Sequence, residues 1–232
     1  MLFRRSVLAV LVVGLLGGCA SSPGSGSLPD GPGLVAASAQ NLTGLRSFRY
    51  TLGVSGTIPG LPIRQIDGDV TLDGGPDGMA AGHADMQEAM DRFQVEYVLR
   101  DGKLYLTHTD GTKEEIPAAP EYLPSALLES SGGLHRLMTG ATRLKTEIQE
   151  KLGKVSTYRV TAELPKAVVS SVIPGIQSDV DIKFWVDQAA PHQLMRVWMQ
   201  VPPIQANEGA VMLELALSNQ NVPVTISQPP SP

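Results

Sequence analysis

The sequence predicts an α+β domain built on a single large curved antiparallel sheet, a half-barrel with short helices packed on its concave face. Apolar and polar side chains alternate with a period of two along most of the chain, so each strand has one dry face and one wet face. The alternating stretches fall into two blocks, before residue 117 and after residue 152, and count to about nine strands. A sheet of that size curls, and a curled sheet capped by a few short helices can enclose space rather than fill it.

The first element is a helix over residues 34–45, where Leu34, Ser38, Leu42 and Leu45 recur at helical spacing and Gly44 is the stop. Phe48, Tyr50, Leu52 and Val54 then alternate with Arg49, Thr51, Gly53 and Ser55 in a strand. In the turn that follows, Pro59-Gly60 fits the central pair of a type II turn, since glycine tolerates positive φ. Ile66, Gly68, Val70 and Leu72 form one face of the next strand, with Asp67, Asp69 and Thr71 on the other. Residues 79–88 make a weaker strand with Ala84 and Met86 on one side, and Phe93, Val95, Tyr97 and Leu99 alternate clearly. Asp101-Gly102 is a tight hairpin signal leading into Leu104 and Leu106.

From Pro117 to Leu152 the groupings Tyr122/Ala126, Leu134/Leu137/Met138 and Leu144/Ile148/Leu152 predict three short helices, broken by Pro124, Gly132-Gly133 and Gly140. Strands resume with Tyr158, Val160 and Ala162. A short helix carrying Val168, Val169 and Val172 ends at Pro174-Gly175. Val180/Ile182/Phe184/Val186, Met195/Val197/Met199/Val201 and Val211/Leu213/Leu215/Leu217 complete the sheet.

The N-terminus reads as an export signal. Arg4 and Arg5 precede ten uncharged apolar residues, 7–16, which as a helix would cover about 15 Å against roughly 30 Å of bilayer hydrocarbon. The run closes on Leu16-Gly17-Gly18-Cys19, which resembles the bacterial lipobox, so Cys19 is the expected lipidation site. It is the only cysteine, which excludes a disulfide framework. Two or more acyl chains there would suffice for stable anchoring. Residues 20–33 are almost all Ser, Gly and Pro and read as a flexible stalk. The expected organisation is therefore a signal peptide at 1–18, an anchored stalk at 19–33, one domain at 34–226 and a proline-rich tail at 227–232. Removing the signal takes two arginines from a chain of net charge −5, leaving −7 over 214 residues, which argues against nucleic acid and against electrostatic docking on anionic lipid.

No catalytic or metal-binding pattern stands out. The histidines at 83, 108, 135 and 192 are scattered, and His83-Ala84-Asp85 lacks a third ligand, so no metal and no cofactor are expected. Asp67/Asp69 and Asp179/Asp181 read as solvated outer faces. There is no G-x-S-x-G elbow and no phosphate loop, so the chain is not read as an enzyme. Trp185 and Trp198 lie on the polar faces of their strands, either as a partner or membrane contact or beneath a crossing loop. Aromatics are only 5% while eight Met join the aliphatic residues, giving an adaptable interior.

Several stretches together resemble the LprG/LppX (LppX/LprA/LprF/LprG) family of mycobacterial and related actinobacterial lipoproteins. These are the lipobox and stalk, GTIPGLPIRQIDGDVT at 56–71, LRDGKLY at 99–105, GGLHRLM at 132–138 and DQAAPHQLMRV at 187–197. The chain departs from that pattern at Asn219-Gln220-Asn221, where the family often carries a Trp-Gly pair. The resemblance implies a LolA/LolB-like half-barrel around a hydrophobic cavity that takes acyl chains. It also implies a non-catalytic carrier, lipid-anchored on the outer face of the plasma membrane and facing the cell wall, or released from it, that moves lipid toward the outer envelope. Phosphatidylinositol mannoside, lipoglycan and triacylglycerol are the cargo classes left open, as is a membrane transporter as partner.

A carrier must offset about 0.8 kcal/mol per methylene, or roughly 24 kcal/mol for two chains of about 15 methylenes, with equally apolar lining. Only the concave face offers that much. The expected lining is Val70, Leu72, Ala84, Met86, Phe93, Val95, Tyr97, Leu99, Val160, Val168, Val172, Ile182, Phe184, Val197 and Met199. Among these, Ala84, Met86 and Met199 are the strongest candidates for cavity walls, because small or flexible side chains leave volume or adapt to a guest. The competing reading is a surface interaction or scaffold lipoprotein with a solid core.

Overall fold

The computed structural model describes residues 27–120, 123–203, 207 and 209–227. Cys19, the signal segment, the stalk up to residue 26 and the tail from 228 lie outside the described residues. Chain order is α1 (Gly31–Leu42), six strands β1 (Ser47–Ser55), β2 (Ile63–Thr71), β3 (Met79–Glu88), β4 (Asp91–Arg100), β5 (Lys103–His108) and β6 (Lys113–Pro117), then α2 (Pro124–Leu128) and α3 (Gly133–Thr139). It continues through β7 (Thr142–Leu152), β8 (Val155–Leu164), α4 (Lys166–Val172), β9 (Val180–Asp187), β10 (Leu194–Val201) and β11 (Val211–Ser218).

The eleven strands described form one open antiparallel sheet in the order β6-β5-β4-β3-β2-β1-β11-β10-β9-β8-β7. Two meanders therefore meet at the centre, where β1 pairs with β11. Inward-facing rows run straight across that seam, as in Val54↔Leu213, which continues to Met199 on β10. Helix α1 lies against β7, β9 and β10 and gathers α3 beside it, with α2 and α4 flanking α3. The helices sit on the concave face, and the apolar core lies between them and the sheet.

The predicted turns are realised. The Leu61 amide donates to the Ile58 carbonyl at 3.0 Å around Pro59-Gly60, with Gly60 at φ 76°. Asp101 and Gly102 both take positive φ, which suits the two-residue hairpin joining β4 to β5. Asn219-Gln220-Asn221 ties the end of β11 to the start of β1. The Asn221 side-chain oxygen accepts from the Arg46 amide at 2.8 Å, and the Asn221 amide donates to the Ser47 carbonyl at 2.7 Å.

Three elements differ from expectation. Helix α1 begins at Gly31 rather than 34 and ends at Leu42, because Asp30 caps it by accepting from the Gly33 amide at 2.9 Å and Pro32 occupies its first turn. Leu144/Ile148/Leu152 belong to strand β7, not to a helix. The charged segment β6, which carries no alternation, pairs along β5 as an edge strand.

Candidate functional site

All fifteen concave-face candidates enter one apolar cluster. Ten are buried: Val70, Ala84, Val95, Tyr97, Leu99, Val160, Ile182, Phe184, Val197 and Met199. Leu72, Met86, Phe93, Val168 and Val172 are half-buried and pack against the others.

The two halves of the sheet are filled differently. Beneath the helices, Val160, Ile182 and Phe184 on β8 and β9 have no exposed surface, as expected of close-packed core. Away from them, the inward rows of β2 to β5 are mixed: Val70, Ala80, Ala84, Val95, Tyr97 and Leu99 are buried, whereas Ile66, Met86, Phe93, Leu104 and Leu106 face the same side and are only half covered. Helix α1 reaches β7, β9 and β10, which is why the packing thins towards β2. Partly exposed apolar side chains lining the inside of a curved sheet form a surface suited to hydrocarbon.

A polar feature interrupts this surface. The hydroxyls of Tyr50 on β1 and Tyr97 on β4 meet at 2.5 Å. Between them the register runs Tyr50↔Gly68 and Gly68↔Gly82, then Gly82↔Tyr97. Without side chains at Gly68 and Gly82, the two rings span the intervening strands. A Cβ on Gly68 would collide with the Tyr97 hydroxyl, and one on Gly82 would strike the Asp67 carbonyl oxygen. Burial pushes the Tyr50 phenol up to about 12 and Tyr97 higher still. Alternation assigned both tyrosines and Gly68 to the inward face. It could not supply the strand order that brings together residues 47 positions apart.

The opposite face of the same strands is charged. A concavity of about 550 Å³ is bordered by Asp67, His83 and Glu96 of that face and also touches Ala84, Val95 and His108, which belong to the inward rows. His83 stands 3.9 Å from both Asp67 and Glu96. Asp67 and Asp69 pair with Arg49, while Asp85 accepts from Arg92, whose hydrogen bonds hold that carboxyl below its usual range. Asp179 accepts from the Lys166 amide at 2.7 Å. Among the described residues, no three His, Cys, Asp or Glu side chains are placed to hold a metal, and no helix is long and apolar enough to cross a membrane.

Trp185 is covered by charged side chains from neighbouring strands rather than by a crossing loop. Arg159 and Arg196 lie over its ring at 6.0 and 5.5 Å, and its Nε1 donates to Glu150 at 2.8 Å. Trp198 carries Lys183 at 5.2 Å.

Comparison with solved structures places this sheet among known ones. LprF from Mycobacterium bovis superposes with a TM-score of 0.73 at 20% identity, over 88% of this chain and 99% of that one. Mycobacterium tuberculosis lipoprotein LppX gives 0.65 at 23% identity, over 85% of this chain and all of that one. In sequence, the chain is 26% identical to the lipoarabinomannan carrier protein LprG of M. tuberculosis H37Rv over 229 residues, covering 97% of this chain and 92% of the relative. It is 28% identical to that of Mycolicibacterium hassiacum, over 94% and 93%. Residues 30–226 match the LppX_LprAFG lipoprotein family, and the chain belongs to that family.

Proposed function

We propose that this chain is a non-catalytic carrier that takes the acyl chains of lipids or glycolipids onto the concave face of its sheet and moves them from the plasma membrane toward the outer envelope. The observation that carries this reading is the half-open apolar surface of β2 to β5, with Ile66, Met86, Phe93, Leu104 and Leu106 incompletely covered beside a filled core. Open apolar surface facing inward costs free energy in water, and hydrocarbon of a guest relieves that cost at about 0.8 kcal/mol per methylene. The relatives' designation as lipoarabinomannan carriers favours a lipoglycan or an acylated mannoside as cargo, with triacylglycerol as a further class.

In this reading Cys19 carries the lipid anchor on the outer face of the plasma membrane. A stalk of about 11 residues, 20–30, keeps the domain within roughly 20 Å of the bilayer, close enough to load from it. Delivery beyond that reach calls for hand-over to a partner such as a membrane transporter, or for a released form.

Mass spectrometry of organic extracts from the purified unacylated protein tests the proposal. Co-purifying lipid, or uptake of an offered glycolipid, is the expected result. A protein that neither retains nor takes up lipid would instead be the scaffold with a solid core, a reading that the complete burial of Val160, Ile182 and Phe184 favours for that half of the sheet.

A further inference from the structure

Most of the concave face is apolar, and the Tyr50–Tyr97 pair stands in the middle of it. On one side lies the row Ile66, Ala84 and Val95, and on the other Val70, Ala80 and Leu99. Two phenol hydroxyls carry two protons and four acceptor lone pairs. One proton is used in the bond between them at 2.5 Å. The second has only the Asp67 carbonyl oxygen in reach of Tyr97, at 3.4 Å, which is at the long limit for such a bond. The pair therefore has a proton to give when an acceptor arrives. If Tyr97 donates to Tyr50, the free proton sits on Tyr50.

Hydrocarbon passing over this point would strip water from the free hydroxyl and leave it without a partner, which opposes binding. An acyl ester does not have that defect. Its carbonyl oxygen is an acceptor without a proton, and it lies at the junction between an apolar chain and a polar head. We propose that the Tyr50–Tyr97 pair is a polar subsite on the concave face that hydrogen-bonds the ester carbonyl of an acyl lipid and so sets how far the chain enters. This deepens the carrier reading and rests on it. Both phenols remain protonated through the neutral range, so the donor is present under ordinary conditions. Gly68 and Gly82 belong to the same device, since side chains there would part the tyrosines or the strands beneath them.

The test uses the mature chain from residue 19 with Cys19→Ser, offered octadecane, octadecanol and methyl palmitate, three probes of similar length. The wild-type pair should bind methyl palmitate about fivefold to tenfold more tightly than octadecane. Tyr50→Phe should erase that preference and Tyr97→Phe should weaken it, with octadecane bound at least as tightly as by the wild type because an unpaired hydroxyl is gone, while an unchanged circular dichroism spectrum shows that the fold survives. With a ¹³C-labelled ester carbonyl, the infrared stretch should lie at the hydrogen-bonded frequency in the wild type and move to the unbonded one in Tyr50→Phe. Ester affinity and carbonyl frequency unaltered in both variants would overturn the subsite and leave the carrier reading standing. Loss confined to octadecanol would overturn the ester assignment in favour of a hydroxyl group. Failure of all three probes to bind would remove the carrier reading and this subsite with it.

Discussion

The indole Nε1 of Trp185 donates to a carboxylate oxygen of Glu150 at 2.8 Å, and the same oxygen accepts from Arg159 at 2.9 Å. Trp185 sits on β9 and Glu150 on the edge strand β7, with β8 between them. The contact therefore spans three strands on the face opposite the apolar surface. Trp185, 9% exposed, is covered by guanidinium groups. A tryptophan on a polar strand face need not mark a partner when neighbouring arginines can stack on it.

Glu150→Ala should cost roughly 1–3 kcal/mol, because it leaves a largely buried indole N–H without its acceptor and removes one carboxylate from Arg159. Glu150→Gln keeps an acceptor and should cost less. Urea denaturation gives both values. Lipid binding should be unchanged in either variant, since the contact faces away from the proposed cargo surface.

Gly82 should tolerate no side chain. A Cβ there would strike the Asp67 carbonyl oxygen of the paired strand, so Gly82→Ala has to push β2 and β3 apart, at roughly 1–3 kcal/mol. Gly53 on β1 provides the control, because a Cβ at that position meets nothing within 4 Å. Gly53→Ala should be neutral or slightly stabilising, through reduced freedom of the unfolded chain. Equal effects of the two substitutions would contradict the close approach at Gly68/Gly82.

Alkaline stability should depend on the tyrosine pair. The unfolded chain loses phenol protons near pH 10, whereas folded Tyr50 holds its proton to about 12 and Tyr97 holds its own further. Above pH 10 the unfolded state therefore binds fewer protons, and stability falls as pH rises. Below pH 10 the protonation states agree and these groups confer no slope. Ultraviolet titration of the native protein should show two of its five tyrosines ionising late, and Tyr50→Phe should flatten the alkaline loss.

How far the fold could be read from the sequence follows from which signals were unambiguous. Strands with one wet face declare themselves by alternation, as in Phe93, Val95, Tyr97 and Leu99, and the turns at Pro59-Gly60 and Asp101-Gly102 followed from backbone chemistry. Leu144, Ile148 and Leu152 misled because a spacing of four fits a helix and is also twice the strand period. Irregular pairing of β7 near residue 147 then leaves Ile148 42% exposed. Strand β6, Lys-Glu-Glu-Ile-Pro, is an edge strand guarded by charge and proline, so it lacks the pattern of a buried one. The inward face was legible residue by residue. Its division into a filled half and an open half was not, because that depends on where α1 lies. The tyrosine pair depends on register, which alternation leaves free.

Cys19→Ser should abolish lipid labelling. In this reading the thiol is the acylated atom, so incorporation of radiolabelled palmitate should vanish and the protein should leave the membrane fraction. Binding of offered lipid by the domain should remain, because the proposed cargo surface lies on the folded sheet. Palmitate incorporation surviving the substitution would place the acyl group elsewhere.

Ala84→Trp should block cargo. Ala84 faces inward on β3, paired with Ile66 on one side and Val95 on the other, next to half-buried Met86 and Phe93 on the same face. An indole there cannot enter the filled half of the core, so it must lie over the open rows of β2 to β5. Overpacking at a 6% exposed position costs about 1–3 kcal/mol, which a domain with this much buried aliphatic surface can tolerate. Circular dichroism should report an intact sheet while glycolipid uptake falls at least tenfold. Uptake at the wild-type level in a folded Ala84→Trp protein would move the cargo off this face.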